Sequence, residues 1–405
     1  MASPTDRPWP HGLPPYSRAR EPAHLTAWPG QGIDRMVCNL SDRQKELVTG
    51  FLILGVMVGG WGIGEALFRL AQREQFGTAK DAETSALFYR DRETGLHLPV
   101  PNSSQGKIRI NSRGFRSPEI PVPKPPGTIR LAFLGSSSTY DIYADNAATW
   151  PHLVTRALQA AYPACRLDYV NAGVPGFSSP HMLVYYRTHV AKLEPDIVVL
   201  LPTDMRLALS TLARRKLGHA DSPVQPSWAA RHSRLWESVE KHAQVVKLQR
   251  AAFLPQGKLS FTYEELAAEI RPGLEAIAAR LAQDRRMLAM VTVSEQLRAG
   301  QTPQAQQHAA GTALYAMPFM SIPGLLKAAR YSNEVIADVA RAFHALLIRG
   351  GEQVPGTPVY YADTSHFKPA GSRLMAERVS AALLQAPAVR QLFEARQEPC
   401  FSTRH

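Results

Sequence analysis

Cysteine is scarce: three residues in 405, Cys38, Cys165 and Cys400, stand too far apart for a disulfide framework or a thiolate metal site. Acid is short as well, with 34 Asp and Glu against 46 Lys and Arg, a formal charge of +12. That balance suggests an anionic partner such as nucleic acid, membrane or acidic glycan, and it is silent on fold. Long apolar runs are nearly absent, and a mean hydropathy of −0.20 excludes a polytopic membrane protein. The Gly-x-x-x-x-Gly-Lys spacing of a phosphate-cradling loop is missing, and no nucleic-acid module signature occurs. What is present excludes wholesale disorder, since 45% of the residues are hydrophobic. At about 150 residues per domain, the length allows two or three domains or one large α/β domain with additions.

Residues 1–46 read as a disordered leader and flank, with seven prolines in the first thirty positions and no apolar period. The one long apolar run is uncharged and spans 18 residues, Leu47 to Gly64. As a helix it measures about 27 Å, close to the hydrocarbon thickness of a bilayer. Residues 47–65 are therefore expected to be a transmembrane helix or signal anchor, with a buried core helix as the alternative. Arg35, Arg43 and Lys45 precede the span, and Arg69, Arg73 and Lys80 follow it, so the positive-inside rule selects no orientation. Gly62 and Gly64 could serve a signal peptidase, which would release the rest of the chain. A start at Met36 would make the arrangement an ordinary signal anchor or signal peptide.

Residues 66–127 read as a connecting segment, charged and helix-like at first and Pro-rich towards the end. After Gly127 the text becomes regular. Thr128–Ser136, Leu167–Gly173, Asp196–Thr203, Met287–Ser294 and Thr357–Asp363 are near-continuous apolar runs, as strands buried on both faces require. Helical patterns lie around them at Thr149–Ala161, His181–Leu193, Tyr263–Asp284, Leu325–Leu347 and Pro369–Leu384. This alternation predicts a parallel sheet covered on both faces, in a domain spanning 128–390. Residues 205–260 interrupt the rhythm, with ten Lys or Arg against Asp221, Glu237 and Glu240. This insertion thus holds +7 of the chain's +12.

Ligands of open α/β sheets sit at the carboxyl ends of strands. The residues found there are Gly135-Ser136-Ser137-Ser138-Thr139 after the first strand and Asn171-Ala172-Gly173-Val174-Pro175-Gly176 after the second. Thr203-Asp204 follow the third, and Asp363-Thr364-Ser365-His366 end the fifth. Each motif alone is weak. A Ser/Thr run after a strand is usually a cap or turn. Thirteen histidines give about one acid-x-x-His match by accident, and Glu21 before His24 is a second one. Position favours Asp363 and His366: their spacing at a strand end lets the carboxylate reach Nδ1 and leaves Nε2 facing a serine.

Assembled in this order, these residues resemble the SGNH (GDSL-like) hydrolase family, in the branch whose first block reads Gly-Gly-Ser-Thr/Ser-Thr. The resemblance runs from about Ile110 to Leu384. It includes the entry Asn111-Ser112-Arg113-Gly114-Phe115-Arg116, Trp150-Pro151, the Asn-Ala-Gly-Val-Pro-Gly loop, Pro195-Asp196 and Asp-x-x-His-Phe-x-x-x-Gly. It implies a three-layer α/β/α sandwich with a five-stranded parallel sheet in the order 2-1-3-4-5. It further implies Ser137 as nucleophile, His366 as general base and Asp363 as its orienting partner. The oxyanion donors would be the N–H groups of Ser137 and Gly176 and a third group. That third donor is usually an Asn amide, and here Thr203 occupies its place, offering a shorter and rotatable hydroxyl. Loss of one preorganised donor costs about 10²–10³ in rate.

The resemblance implies no metal or organic cofactor. The expected activity is that of a serine esterase or deacylase acting on O-acyl esters of a cell-envelope glycan or lipid, outside the cytoplasmic membrane, with no nucleic-acid partner. Two alternatives stand beside it: acyl transfer to a sugar hydroxyl, and a non-catalytic glycan-binding or assembly protein on the same scaffold. Ser136, Ser138 and Thr139 read as turn and cap groups, and His181, His189 and His344 as packing or surface residues. Arg214-Arg215-Lys216 reads as a solvated face, with binding of an anionic substrate as the sharper possibility.

Overall fold

The computed structural model describes residues 41–75, 87–218, 226–254 and 257–397, and the chain divides into two bodies, residues 1–63 and 64–405. Of the leader and flank expected to be disordered over residues 1–46, residues 1–40 lie outside the described residues, and residues 42–46 are helical. A single helix, α1 (Asp42–Gln75), contains the apolar run, and its part from Asp42 to Leu70 is long and apolar enough to cross a membrane. Its apolar side chains, from Leu47 through Ile63, are exposed rather than covered by protein. A buried core helix is thereby excluded. The helix-like start expected of the next segment is helical to Gln75, and residues 76–86 lie outside the described residues.

The second body is built on five parallel strands: β1 (Thr128–Gly135), β2 (Arg166–Gly173), β3 (Ile197–Leu201), β4 (Met287–Val291) and β5 (Leu346–Ile348). Their order is 2-1-3-4-5, with β1 between β2 and β3 and paired to β2 from Thr128↔Arg166 through Gly135↔Gly173. Every residue of β1 is buried, because successive side chains point to opposite faces and both faces are covered. Ile129, Leu131 and Phe133 pack on one side with α3 (Trp150–Ala161) and α12 (Pro369–Gln385). Ala132 and Leu134 pack on the other, with α4 (Ser179–Tyr185), α8 (Tyr263–Gln283) and α11 (Ile322–Ala342). The result is a three-layer α/β architecture.

The fifth strand is not where its apolar run is. Residues 357–363 were expected to form it, yet β5 is a three-residue segment that begins inside the tail of the expected Leu325–Leu347 helix and ends one residue beyond it. That helix stops at Ala342, His344 turns the chain at φ +50°, and Leu346–Ile348 pair with Ala289–Val291. Pro358 breaks the later run by lacking an N–H for a ladder. The N–H groups of Tyr360 and Tyr361 instead close turns on the Thr357 carbonyl. A single antiparallel bridge sets Tyr361 opposite Phe367, made by Ala362 N–H to the His366 carbonyl and Lys368 N–H to the Tyr360 carbonyl. The segment before the sheet also departs from a plain connector. Phe88–Arg90 pairs with His97–Pro99, Ser104–Gln105 pairs with Ile108–Arg109, and Leu96, Leu98, Phe115 and Ile120 join the core.

The basic insertion is helical: α5 (Met205–Leu217), α6 (Trp228–His232) and α7 (Arg234–Ala251). The short helix α2 (Ser137–Tyr140) springs directly from β1 and lies against the ends of β1 and β2. A Cβ on Gly135 would overlap the Thr139 side chain, and one on Gly173 would overlap the backbone at Tyr140. Gly173→Ala is therefore expected to destabilise the fold by about 1–3 kcal/mol through overpacking. Gly300→Ala, at an open position, should change little. Denaturant midpoints of the two variants measure the difference, and equal midpoints would show that the contact relaxes freely.

Candidate active site

Ser137 is the first residue of α2, at the carboxyl edge of the sheet, where β1 ends. His366 and Asp363 sit on the loop before α12, whose first residue is Pro369. The Asp363 carboxylate accepts the N–H groups of Ser365 and His366, both at 3.0 Å, which fixes the loop as a local turn. Its oxygens lie 2.8 and 2.9 Å from His366 Nδ1, and His366 Nε2 lies 2.7 Å from Ser137 Oγ. All three sequence-predicted residues are thus joined in one hydrogen-bonded chain. Burial alone would raise the Asp363 carboxyl, but the imidazole and the two N–H groups outweigh it and hold its pKa below the usual value.

Tyr143 completes this cluster and was invisible in the motif pattern. Its hydroxyl hydrogen-bonds the Asp363 carboxylate, and its ring meets the His366 imidazole edge-on at 5.9 Å. Burial, with Asp363 adding to it, pushes the Tyr143 phenol well above its usual pKa, so it stays a neutral donor. Ser138 ties the two loops together: its hydroxyl donates to the Ser365 carbonyl at 3.1 Å, while its own carbonyl accepts the Trp150 indole N–H.

Arg116, from the entry motif, is fully buried and fixes the turn that follows α2. Its guanidinium donates to the carbonyls of Tyr140, Asp141 and Ala144 and to Asn146 Oδ1. Asp141 is buried beside it and takes hydrogen bonds from the Trp150 N–H and the Ser372 hydroxyl, each at 2.9 Å. Burial still lifts its carboxyl to about 6.

The three expected oxyanion donors behave differently from one another. Ser137 N–H, at the start of α2, has no hydrogen-bond acceptor among the described residues. Gly176 N–H, on a loop at φ +84°, donates to the Ser136 hydroxyl at 3.0 Å. The Thr203 hydroxyl lines the cleft but donates to the Phe177 carbonyl at 3.2 Å. Asp204 beside it is spent on structure, accepting the N–H and hydroxyl of Ser179 and so pinning the start of α4. Asn171 braces the same edge, donating to the Thr139 carbonyl and accepting the Gly173 N–H, each at 3.0 Å.

These groups open into a cleft of about 580 Å³. Its walls include Met205, Leu207, Ala313 and Met317, with Arg206 and Arg214 on α5. His181, read from sequence as a packing residue, also lines it, stacked on Phe177 with its Nδ1 at 2.8 Å from the Ser178 hydroxyl. Of the basic run, only Arg214 faces the cleft. Arg215 pairs with Glu269 at 3.1 Å and Lys216 with Glu265 at 2.6 Å, because both point towards α8. Among the described residues, no group of His, Cys, Asp or Glu side chains is placed to hold a metal ion.

Glu295 is the other residue that the motif reading missed. It lines the cleft, is 5% exposed, and has no side-chain hydrogen bond among the described residues. The rule that located the other groups applies here too, since Ser294 and Glu295 follow the end of β4. Burial pushes its carboxyl up to about 7, against the pull of Arg298.

No protein-family model matches the chain, and no curated protein sequence does. Among solved structures, it is similar to an α/β hydrolase from the metagenome of Lake Arreo, at 14% identity and a TM-score of 0.38, over 63% of this chain and 94% of that one. It is similar to an acetylxylan esterase from Geobacillus stearothermophilus, at 13% and 0.39, over 63% and 93%. It is also similar to a lipase/acylhydrolase from Enterococcus faecalis, at 16% and 0.37, over 66% and 96%. Likenesses this distant say nothing of chemistry.

The folded state holds the Glu295 proton between the unfolded value of 4.5 and about 7, where the unfolded chain releases it. Stability from this group therefore falls as pH rises through that window. Glu295→Gln removes the loss, so the variant should gain about 1–3 kcal/mol over the parent between pH 4.5 and 8. Parallel pH curves from chemical denaturation of the two proteins would show that Glu295 is hydrated and ionises normally.

Proposed function

We propose that the protein is a serine-dependent ester hydrolase that removes O-acyl groups from a glycan or lipid of the cell envelope. The observation that supports this most is the hydrogen-bonded chain Asp363–His366–Ser137, placed at the carboxyl edge of the sheet and open to the cleft. In this reading Ser137 Oγ attacks the ester carbonyl while His366 Nε2 takes its proton. Asp363 holds Nδ1–H and stabilises the imidazolium, and Tyr143 steadies Asp363 from its other side. The N–H groups of Ser137 and Gly176 receive the oxyanion, and the Ser136 hydroxyl turns away from Gly176 to admit it. His366 then returns the proton to the alcohol leaving group, and water repeats the sequence on the acyl-enzyme. Thr203 supports the loop carrying Phe177 in this resting arrangement and joins the oxyanion hole only by rotating its hydroxyl.

The apolar walls suit an acyl chain or sugar face, and the two arginines suit an anionic group beyond it. The exposed apolar run of α1 supports a membrane anchor, and the same proposal sets the hydrolase body outside the cytoplasmic membrane.

A fluorophosphonate should label the full-length protein in detergent at Ser137, as read by mass spectrometry of the adduct. Ser137→Ala should abolish that adduct and lower p-nitrophenyl acetate turnover by about 10³-fold or more. Folded protein that takes no label would sink the catalytic reading and favour glycan binding on the same scaffold. Arg206 and Arg214 are exposed and have no acidic partner among the described residues. Replacing both by Ala should lower kcat/KM for an anionic ester by about tenfold, roughly 1.4 kcal/mol, while leaving a small neutral ester nearly unchanged. Equal losses on both substrates would remove the arginines from substrate recognition.

A further inference from the structure

Most of the chain's excess charge lies in the insertion, and most of that charge is not at the cleft. Helix α7 has no fully buried residue along its 18 positions. Its outer face carries Trp236, Val239, Ala243, Val246, Arg250 and, just beyond its end, Leu254, spaced by three or four residues as one helical stripe. Trp236 is 40% exposed, Val239 49% and Leu254 60%, and on the neighbouring α6 Trp228 is 71% exposed. A shallow groove along this stripe is lined by Ala243, Val246, Lys247, Arg250, Ala251 and Leu254. Water is a poor partner for such a face.

The charges beside the stripe are predominantly positive. Glu237 is engaged by Arg234 at 3.2 Å, and Glu240 accepts the Ser227 N–H and hydroxyl. Arg231, Lys247 and Arg250 have no carboxylate partner among the described residues and remain exposed. An amphipathic helix with aromatic and aliphatic residues on one face and basic residues alongside has the composition of a helix lying in a bilayer interface.

A third observation ties this face to the proposed membrane anchor. Glu65 directly follows the apolar run of α1, and its carboxylate caps the start of α7. It accepts the Ser233 hydroxyl and the N–H groups of Arg234 and Leu235, all at 2.8 Å. The first turn of α7 is therefore tied to a residue that directly follows the apolar run in the chain. From these observations we infer that α6 and α7 dock on the membrane surface, with the α7 stripe and Trp228 in the headgroup boundary and the unpaired cations on anionic lipid. Nothing in this inference depends on the hydrolase reading.

Docking would also bring the cleft close to lipid. The inner side of α7 packs against the helical pair Pro303–Ala309 and Gly311–Ala316, where Val245 and Gln249 approach Gly311 and Gln249 and Gln307 exchange hydrogen bonds. Thr312, Ala313 and Ala316, on the second of those helices, line the cleft.

The test uses the full chain in nanodiscs of phosphatidylcholine, alone or with phosphatidylglycerol. Cys38 and Cys400 are replaced by Ser, and the buried Cys165 is left in place. Nitroxides are attached at Val239→Cys, Leu254→Cys and, as a water-exposed control, Glu394→Cys. Collisions with oxygen should dominate those with a nickel complex at positions 239 and 254 in the anionic discs, and the reverse should hold at 394. Nitroxides at 239 and 254 that behave like the one at 394 would overturn the inference. Reversing Arg231, Lys247 and Arg250 to Glu should lower the docked-to-undocked ratio by more than tenfold in anionic discs, at roughly fivefold per cation removed. Cys165 should stay unreactive to maleimide in that variant, which reports an intact fold. Undiminished immersion after the reversal would overturn the role given to anionic headgroups.

Discussion

The arrangement of the site depends on a buried cation held by carbonyls rather than by a direct ion pair. Arg116 is buried, and its guanidinium is satisfied almost entirely by the carbonyls of Tyr140, Asp141 and Ala144. A buried charge without hydrogen bonds is prohibitive, so these carbonyls must converge on it, and the turn leaving α2 has few other shapes open to it. That turn delivers Tyr143 to Asp363 and presents Asp141 to Trp150 and Ser372. Helix α2, the loop carrying Asp363 and His366, and α3 are thus brought into register by one side chain from the segment before the sheet. Residues 87–127 belong to the machinery of the domain for this reason.

The strand-end groups were legible in the sequence because their positions are set by local text. A buried parallel strand must be apolar throughout, so it announces its own end, and the polar residues just beyond it fall on one rim. Ser137, Gly176 and Thr203 were located in this way, whereas Asp363 and His366 were reached through an apolar run that is not a strand. The misplaced fifth strand shows the limit of that rule. Thr357–Asp363 is as apolar as a strand, yet only Tyr361 of it is buried and Val359 is exposed, while three residues of true strand at 346–348 are too few to leave a pattern. Tyr143 and Ser136 lay beyond reach for another reason. Their roles come from contacts made after the chain has folded back, and no spacing encodes them.

Charge was legible in amount and misleading in address. The insertion's excess was plain, and its position after the third strand pointed to the active-site rim. Folding divides that excess: Arg206 and Arg214 turn to the cleft, Arg215 and Lys216 are taken up by α8, and the remainder lies along α6 and α7. Helical periodicity separates these groups by direction, since neighbours in sequence point a hundred degrees apart. A run of basic residues is therefore one feature in text and three in space.

The hydrogen bond from Gly176 N–H to the Ser136 hydroxyl has a bearing on selectivity. Under the proposed chemistry, an incoming ester carbonyl must replace a neutral oxygen that already occupies the donor. Exchanging one neutral acceptor for another gains almost nothing, so the substrate is not held more firmly for having arrived. Once the carbonyl oxygen acquires charge, the same N–H makes a bond roughly twice as strong as the one it gave up. The resting hydroxyl thus withholds the donor from the ground state and yields it to the tetrahedral intermediate, which is where such a bond accelerates a reaction.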